Sequence, residues 1–451
     1  MRTSFLFLLA VPILFLSCGC SSNTMSAPSL RIQAAAVNQM DDSTGSHLSQ
    51  DIILGRDLLF TPDYFPLIEG KRIAIMANQT SRATVDRLID DKRTSLIVIF
   101  SPEHGFSGAD AAGLHVSDSV YRSIPVFGCY GGGDATRRIP LSLLKNIDVL
   151  LFEVQDTGAR HYTFISSMYL AMDSAADASI KFVVLDRPNP ANGCVIEGPV
   201  LEKEFQSFVG VGRIPVRHAM TMGELANLFR NESVIMHGPR YPREKETDEY
   251  WNVGTLDLVT IPMKHYEREK SWDDIYGPGK WIPTSPNIPG ALEAMMYSGT
   301  GILGANTLCE MVPGFRKFCA ISLPFVSTGE KLLAFIDAAK SVYDFPGMLL
   351  SPALNPETRE ENVIVLEVVD ISICRPVAST LALLYVQRLL YPDAQFFTTS
   401  EAPGIFDKMT GASWVREELM GKPLPPFYFM LERMRREEAA FENVRKKYLV
   451  Y

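Results

Sequence analysis

Five consecutive residues, Ser101-Pro102-Glu103-His104-Gly105, set a carboxylate beside an imidazole directly after the apolar run Ser95–Phe100. The run reads as a buried parallel strand, and Pro102 and Gly105 shape the turn that follows it. Ligands of open α/β sheets bind outside the carboxyl ends of the strands. Glu103 therefore leads the candidates for chemistry. A carboxyl among apolar strand ends is pushed toward its neutral form by desolvation, as a general acid at neutral pH requires. The competing reading is structural, with Glu103 capping the turn and His104 bonding the backbone.

Further polar clusters follow other apolar runs. Gln155-Asp156-Thr157-Gly158-Ala159-Arg160-His161-Tyr162 comes after Asp148–Val154. There Asp156 is placed to cap a helix or orient a base, and Arg160 to hold an anion through its planar fork, unless the two form a structural ion pair. Glu153 lies within the strand itself, where a carboxylate is costly unless paired, which favours its facing the site. Asp186-Arg187-Pro188-Asn189-Pro190 is a proline-stiffened loop presenting Asp186 and Asn189, or simply a turn. Arg217-His218 ends a short strand over Ile214–Val216, and Thr221-Met222-Gly223-Glu224 has the form of a capping box, which makes Glu224 structural. Pro283-Thr284-Ser285-Pro286-Asn287-Ile288-Pro289 is a rigid loop that lines a cleft or links two domains.

The elements that position these clusters alternate. Arg72–Ala77, Ser95–Phe100, Asp148–Val154 and Phe182–Leu185 are short apolar strands, and His161–Ala178 carries apolar residues at helical spacing. This alternation predicts a Rossmann-like, doubly wound parallel sheet whose polar strand ends converge on one edge. After about residue 290 the texture changes. Helices are expected over Glu330–Tyr343, Ser379–Leu390 and Phe427–Lys447, with a strand over Val363–Val369. The expected organisation is a leader over 1–20, a tether over 21–50, a catalytic α/β domain over 51–290 and a smaller C-terminal α/β domain over 291–451.

Composition bounds the class. The 451 residues are 47% hydrophobic and 21% charged, with a formal net charge of −9, which argues against a nucleic-acid partner held through phosphates. No GxGxxG or P-loop, no metal-ligand histidine spacing and no GxSxG elbow occurs, so neither a cofactor nor a metal is called for. Arg2, the apolar stretch Phe5–Leu16 and Ser17-Cys18-Gly19-Cys20 form an export signal, too short for a comfortable membrane span. Cys18 fits a lipoprotein processing site better than Cys20; cleavage near Ala27 is the alternative. Five cysteines remain (Cys129, Cys194, Cys309, Cys319 and Cys374), either as buried thiols or with one bridge, Cys309–Cys319.

Carboxylates with polar and aromatic neighbours suit glycoside chemistry, in which one acid protonates the leaving oxygen. The ordered motifs SPEHGF (101–106), VQDTGARHYTF (154–164), VLDRPNP (184–190), EGP (197–199), SFVG (207–210), PVRHAMTMGELA (215–226) and SPNIP (285–289), with the ending KKYLVY, resemble the NamZ family. These are bacterial exo-β-N-acetylmuramidases, formerly a domain of unknown function. The resemblance implies a Rossmann-like catalytic domain with a smaller C-terminal domain and a site in the cleft between them. It implies release of N-acetylmuramic acid from non-reducing ends of peptidoglycan fragments, with Glu103 as the catalytic glutamate. Its motifs carry over to Gln155, Asp156, Arg160, Tyr162, Asp186, Asn189, Arg217, His218 and Asn287, with His104 beside the acid.

The roles expected by chemistry are Arg160 or Arg217 on the lactyl carboxylate, and Asp186 and Asn189 on hydroxyls or acetamide. The second catalytic group is Asp156 or Glu153 as base, or the substrate acetamide as nucleophile. Three departures stand out: Glu153 where the family has Asp, Ala219 where it has Gly, and Glu310–Arg316 (EMVPGFR) in place of a Gly-Arg-Gly-Thr segment. The last leaves open a catalytically weak lipoprotein that binds muropeptides.

Overall fold

The computed structural model of the chain describes residues 51–131, 137–232 and 252–451. The export signal, Cys18 and the tether expected over 1–50 lie outside these residues. The main sheet is laid down by apolar runs that hide on both faces, the mark of interior parallel strands. β1 (Arg72–Ala77) is buried from Ile73 onward, and β2 (Ser95–Ser101) from Val98 onward. β3 (Ser119–Tyr121) and β4 (Ile124–Gly128) form an antiparallel hairpin whose second strand joins β2 in parallel. β5 (Val149–Glu153) is buried throughout, and β6 (Lys181–Leu185) from Phe182 onward.

A two-stranded antiparallel ribbon, β7 (Glu197–Val200) with β8 (Pro215–Arg217), stands apart from this sheet. Arg217 therefore ends a ribbon strand rather than a strand of the main sheet. β9 (Leu258–Ile261) completes the order β3-β4-β2-β1-β5-β6-β9 among the described residues, parallel except for β3. The chain leaves β1 for β2 on one side and later sets β5 on the other. The crevice between β1 and β5 is thus the topological switch point, where α/β sheets place their ligands.

The Phe164–Asp177 helix is buried from Phe164 through Ala175, serines and Asp173 included, so it is covered on all sides. The smaller domain has a three-stranded antiparallel sheet, β10 (Ala320–Ser322), β11 (Met348–Ala353) and β12 (Val363–Val368), in the order β10-β12-β11. Helices Gly329–Val342 and Pro376–Leu390 accompany it, close to their expected spans. The last helix, Phe427–Arg445, returns to the first domain. Its Glu438 and Glu437 accept from Gly198 N (3.0 Å) and Val200 N (2.8 Å), and its Arg445 donates to the carbonyls of Gly193 and Ala219. One apolar core runs without a break from Ala74 to Phe441 through both domains. All five cysteines are free thiols, so the Cys309–Cys319 bridge is not formed.

Candidate active site

The Glu103 carboxyl sits just beyond β2 and is only 7% exposed. Gly113 N donates to its Oε1 at 2.8 Å and the Thr163 hydroxyl to its Oε2 at 2.5 Å. Thr163 immediately precedes the buried helix, so the carboxyl is held between a loop and a rigid element. The turn carrying it is unusual: His104 has φ 70° and Gly105 φ 72°. A left-handed histidine is costly and persists only where its surroundings fix it. Here its Nδ1 lies 2.8 Å from the Asp110 carbonyl and its ring meets Phe164 edge-on.

Asp156 follows β5, across the switch point. Gly158 N donates to its Oδ2 at 2.7 Å, while Oδ1 has no protein partner. Burial pushes this carboxyl up to about 7. It lines a cavity of about 10 Å³ together with Asn189, Pro190 and Met220. That space is about the size of one water. The Tyr162 hydroxyl donates to Thr284 Oγ1 at 3.0 Å, and burial, with a smaller contribution from the Asp156 and Glu103 charges, raises its pKa. Tyr297, 5.6 Å from Tyr162 ring to ring, is raised by burial and by Tyr162, Glu103, Glu310 and Asp156. Tyr130 is pushed up to about 12 by burial and the adjacent Glu103 carboxylate.

The remaining expected residues divide by what their polar atoms already hold. Arg160 is buried and donates to the carbonyls of Pro199, Ile214 and Met409. Arg217, fully buried, donates to the carbonyls of Cys374 and Ala191 and lies 3.8 Å from Glu197. Neither guanidinium is presented to a substrate carboxylate, which corrects the expected anion-holding roles; their charge is given to backbone oxygens. Asp156 and Arg160 form no ion pair either. Asp186 accepts from Arg187 N, Thr221 Oγ1, Gly223 N and Tyr451 Oη, so its carboxyl is saturated by the protein. Asn189 accepts from Ala191 N and donates to the Met220 carbonyl, a positioning pattern.

Gln155 donates to the carbonyls of Asp156 and Pro188 and accepts from Arg187, which also pairs with Glu153 at 2.6 Å. Glu153 Oε1 is thus paired within the fold, while its Oε2 has no partner. His218 Nδ1 accepts from Met220 N. Asn287 stands partly exposed, its Oδ1 accepting from Lys317 Nζ at 2.8 Å.

Comparison with known proteins gives this arrangement its context. The model of exo-β-N-acetylmuramidase NamZ, N-terminal, matches residues 73–291, and that of NamZ, C-terminal, matches 295–451. The chain belongs to the NamZ family. It is 32% identical over 405 residues to the peptidoglycan β-N-acetylmuramidase NamZ of Bacillus subtilis (strain 168), covering 86% of this chain and 89% of that one. Two DUF1343 family structures from Bacteroides fragilis NCTC 9343 share the fold. One aligns with TM-score 0.72 at 27% identity and the other with 0.60 at 23%, each covering 89% of this chain and 99% of its own.

Seen as a NamZ protein, the chain's departures acquire physical content. Ala219, where the resemblance expects glycine, has φ 52°, the left-handed region that favours glycine. Glu153 completes a buried pair with Arg187. The altered 310–316 segment carries two charged residues, Glu310 and Arg316. Glu310, half-buried and pushed up to about 7 by burial, acts on Tyr297, and Arg316 pairs with Glu293 at 2.8 Å. Sequence reasoning missed Thr163, Tyr130 and Tyr297 as neighbours of the acid. Only Thr163 had a local signal, being in the VQDTGARHYTF motif and at the mouth of a predicted helix.

Proposed function

We propose that this chain is an exo-acting glycoside hydrolase that releases N-acetylmuramic acid from the non-reducing ends of peptidoglycan fragments, with Glu103 as general acid and Asp156 as the second catalytic carboxyl. The observation that carries the reading is the pair of buried carboxyls, Glu103 beyond β2 and Asp156 beyond β5, on the two sides of the switch point, in a chain matched by the NamZ models in both domains. Thr163 holds Glu103 in either protonation state, because a hydroxyl both donates and accepts. Glu103 gives its proton to the glycosidic oxygen as the bond breaks. Asp156, with a free oxygen and a water-sized cavity beside it, takes a proton from the incoming water.

With Arg160 and Arg217 committed to carbonyls, Lys317 is the cation nearest the expected SPNIP loop. Its ammonium donates to the Pro286 carbonyl and to Asn287. It is the candidate partner of the lactyl carboxylate. The binding-only alternative rests on the changed 310–316 segment, whereas the intact Glu103 favours the hydrolase.

Release from a chromogenic N-acetyl-β-muraminide tests the assignment. Wild type turns it over, and Glu103→Gln lowers kcat by about 100-fold or more. No release by wild type, or an undiminished rate in the variant, overturns it. Export rests on the sequence of the first twenty residues, and attachment to a membrane on acylation of Cys18. Mass spectrometry of the mature protein is expected to find an acylated Cys18 as the first residue. An unmodified terminus near Ala27 would refute the lipoprotein reading.

A further inference from the structure

Two phenols meet beside the acid, and their hydroxyls differ in what they hold. Tyr162 and Tyr297 stand edge-to-face with ring centroids 5.6 Å apart. Tyr162 immediately precedes Thr163, whose hydroxyl bonds Glu103, and its own hydroxyl is given to Thr284 Oγ1 at 3.0 Å. Tyr297 arrives from the helix Ala291–Thr300, at the start of the second domain. Its ring is locked in place. His161 lies 4.7 Å away and Phe318 5.1 Å away between ring centroids, and a Cβ at Gly301 would come within 2.7 Å of it. The Tyr297 carbonyl lies 3.3 Å from His161 Nε2, but its hydroxyl hydrogen-bonds no protein group among the described residues. The residue is half-buried, and this hydroxyl is not one of the orphaned polar atoms sealed from solvent. A recessed phenol of this kind ordinarily finds a partner, and here the partner has to come from outside the chain.

We propose that Tyr297 is the acetamide-binding residue of the site, its hydroxyl donating to the carbonyl oxygen of the N-acetyl group on the terminal sugar. The inference rests on the hydrolase reading and adds to it a residue from the second domain. Donors and acceptors select the group. The Glu103, Glu310 and Asp156 charges all act on Tyr297, and carboxyls accept readily from sugar hydroxyls. A carbonyl oxygen only accepts and so needs a donor, and the neighbouring Tyr162 and Thr163 hydroxyls are already committed. A place this rich in carboxyls disfavours the anionic lactyl group and admits an uncharged substituent. Burial and the same charges raise the phenol well above its ordinary value. It therefore stays a donor at neutral pH and serves neither as base nor as nucleophile. Because the ring is fixed before the sugar arrives, little side-chain freedom is lost on binding.

Calorimetry on Glu103→Gln, with N-acetylmuramic acid as the probe, reads the contact without turnover. Adding Tyr297→Phe is expected to weaken binding about tenfold, the worth of one hydrogen bond. Binding of muramic acid, which lacks the acetyl group, is expected to be insensitive to the same exchange. Equal affinity of the two variants for N-acetylmuramic acid overturns the proposal, and so does an equal loss for both sugars. Thermal unfolding separates binding from folding. The midpoint of Tyr297→Phe is expected at the wild-type value, because the missing hydroxyl bonded no protein group. A lowered midpoint with unchanged sugar affinity assigns the hydroxyl to the fold and overturns the contact. On an aryl N-acetyl-β-muraminide, Tyr297→Phe is expected to lower kcat/KM about tenfold. Absence of release by wild type overturns the hydrolase reading instead, while the calorimetry still decides the role of Tyr297.

Discussion

Asp156 and Glu103 are both buried carboxyls, yet their partners differ in kind. Glu103 has a donor on each oxygen, whereas Asp156 has one oxygen held and one free. For a base the second arrangement is the useful one, because it leaves one oxygen without a hydrogen bond. With its pKa at about 7, Asp156 is protonated below neutrality and charged above it. Acting as base, it works only when charged, so kcat rises as pH increases through about 7. Asp156→Asn removes that limb and slows release by about 100-fold. A pH–rate series on the aryl muraminide checks both, and an Asn variant with the wild-type limb would exclude Asp156 as its source.

At the scale of elements, the site depends on turns that hold non-glycine residues in the left-handed region. His104 is pinned there by Asp110 and Phe164, and its strain falls beside the acid. Ala219, at φ 52° between the β8 ribbon and the Thr221 capping box, bears no side chain that could take part in chemistry. The left-handed conformation costs an alanine about 1 kcal/mol or more relative to glycine. Ala219→Gly is therefore expected to raise stability by about 1 kcal/mol in denaturant titration. Its Cα hydrogen leaves the Arg445 bond to the Ala219 carbonyl in place. A loss of stability would show that the alanine methyl, which is fully buried, contributes more by packing than its backbone costs.

At the scale of the molecule, the two matched regions are not two bodies hinged at a linker. The core is continuous, and Arg160 from the first domain donates to Met409 in the second. The chain end is tied back in turn. Tyr451 donates to Asp186 at 2.8 Å and accepts from Met263 N, and Val450 N donates to Glu224. Residues 51–451 should accordingly unfold in a single calorimetric transition, and a fragment ending at 291 should fail to fold, having exposed half of a shared core. Two separated transitions, or a folded fragment by circular dichroism, would contradict this.

The sequence by itself determined the parallel strands, because strands buried on both faces need continuous apolar runs, and Ile73–Ala77 and Val149–Phe152 supply them. It determined the Thr221–Glu224 capping box, whose reciprocal bonds form at 3.2 Å and 3.0 Å, because a cap joins residues three apart. It also determined where Glu103 and Asp156 lie, since each follows its strand directly. What only the tertiary structure decided is which charges are free. Arg160 and Arg217 read as anion binders, but they are spent on carbonyls up to 249 residues away. Glu310 reads as a residue of a lost motif, yet its charge, with those of Glu103 and Asp156, adds to the burial that raises Tyr297. Local spacing fixes a side chain's direction. Its partners are set by segments that meet only when the core closes, and for a buried charge those partners determine its role.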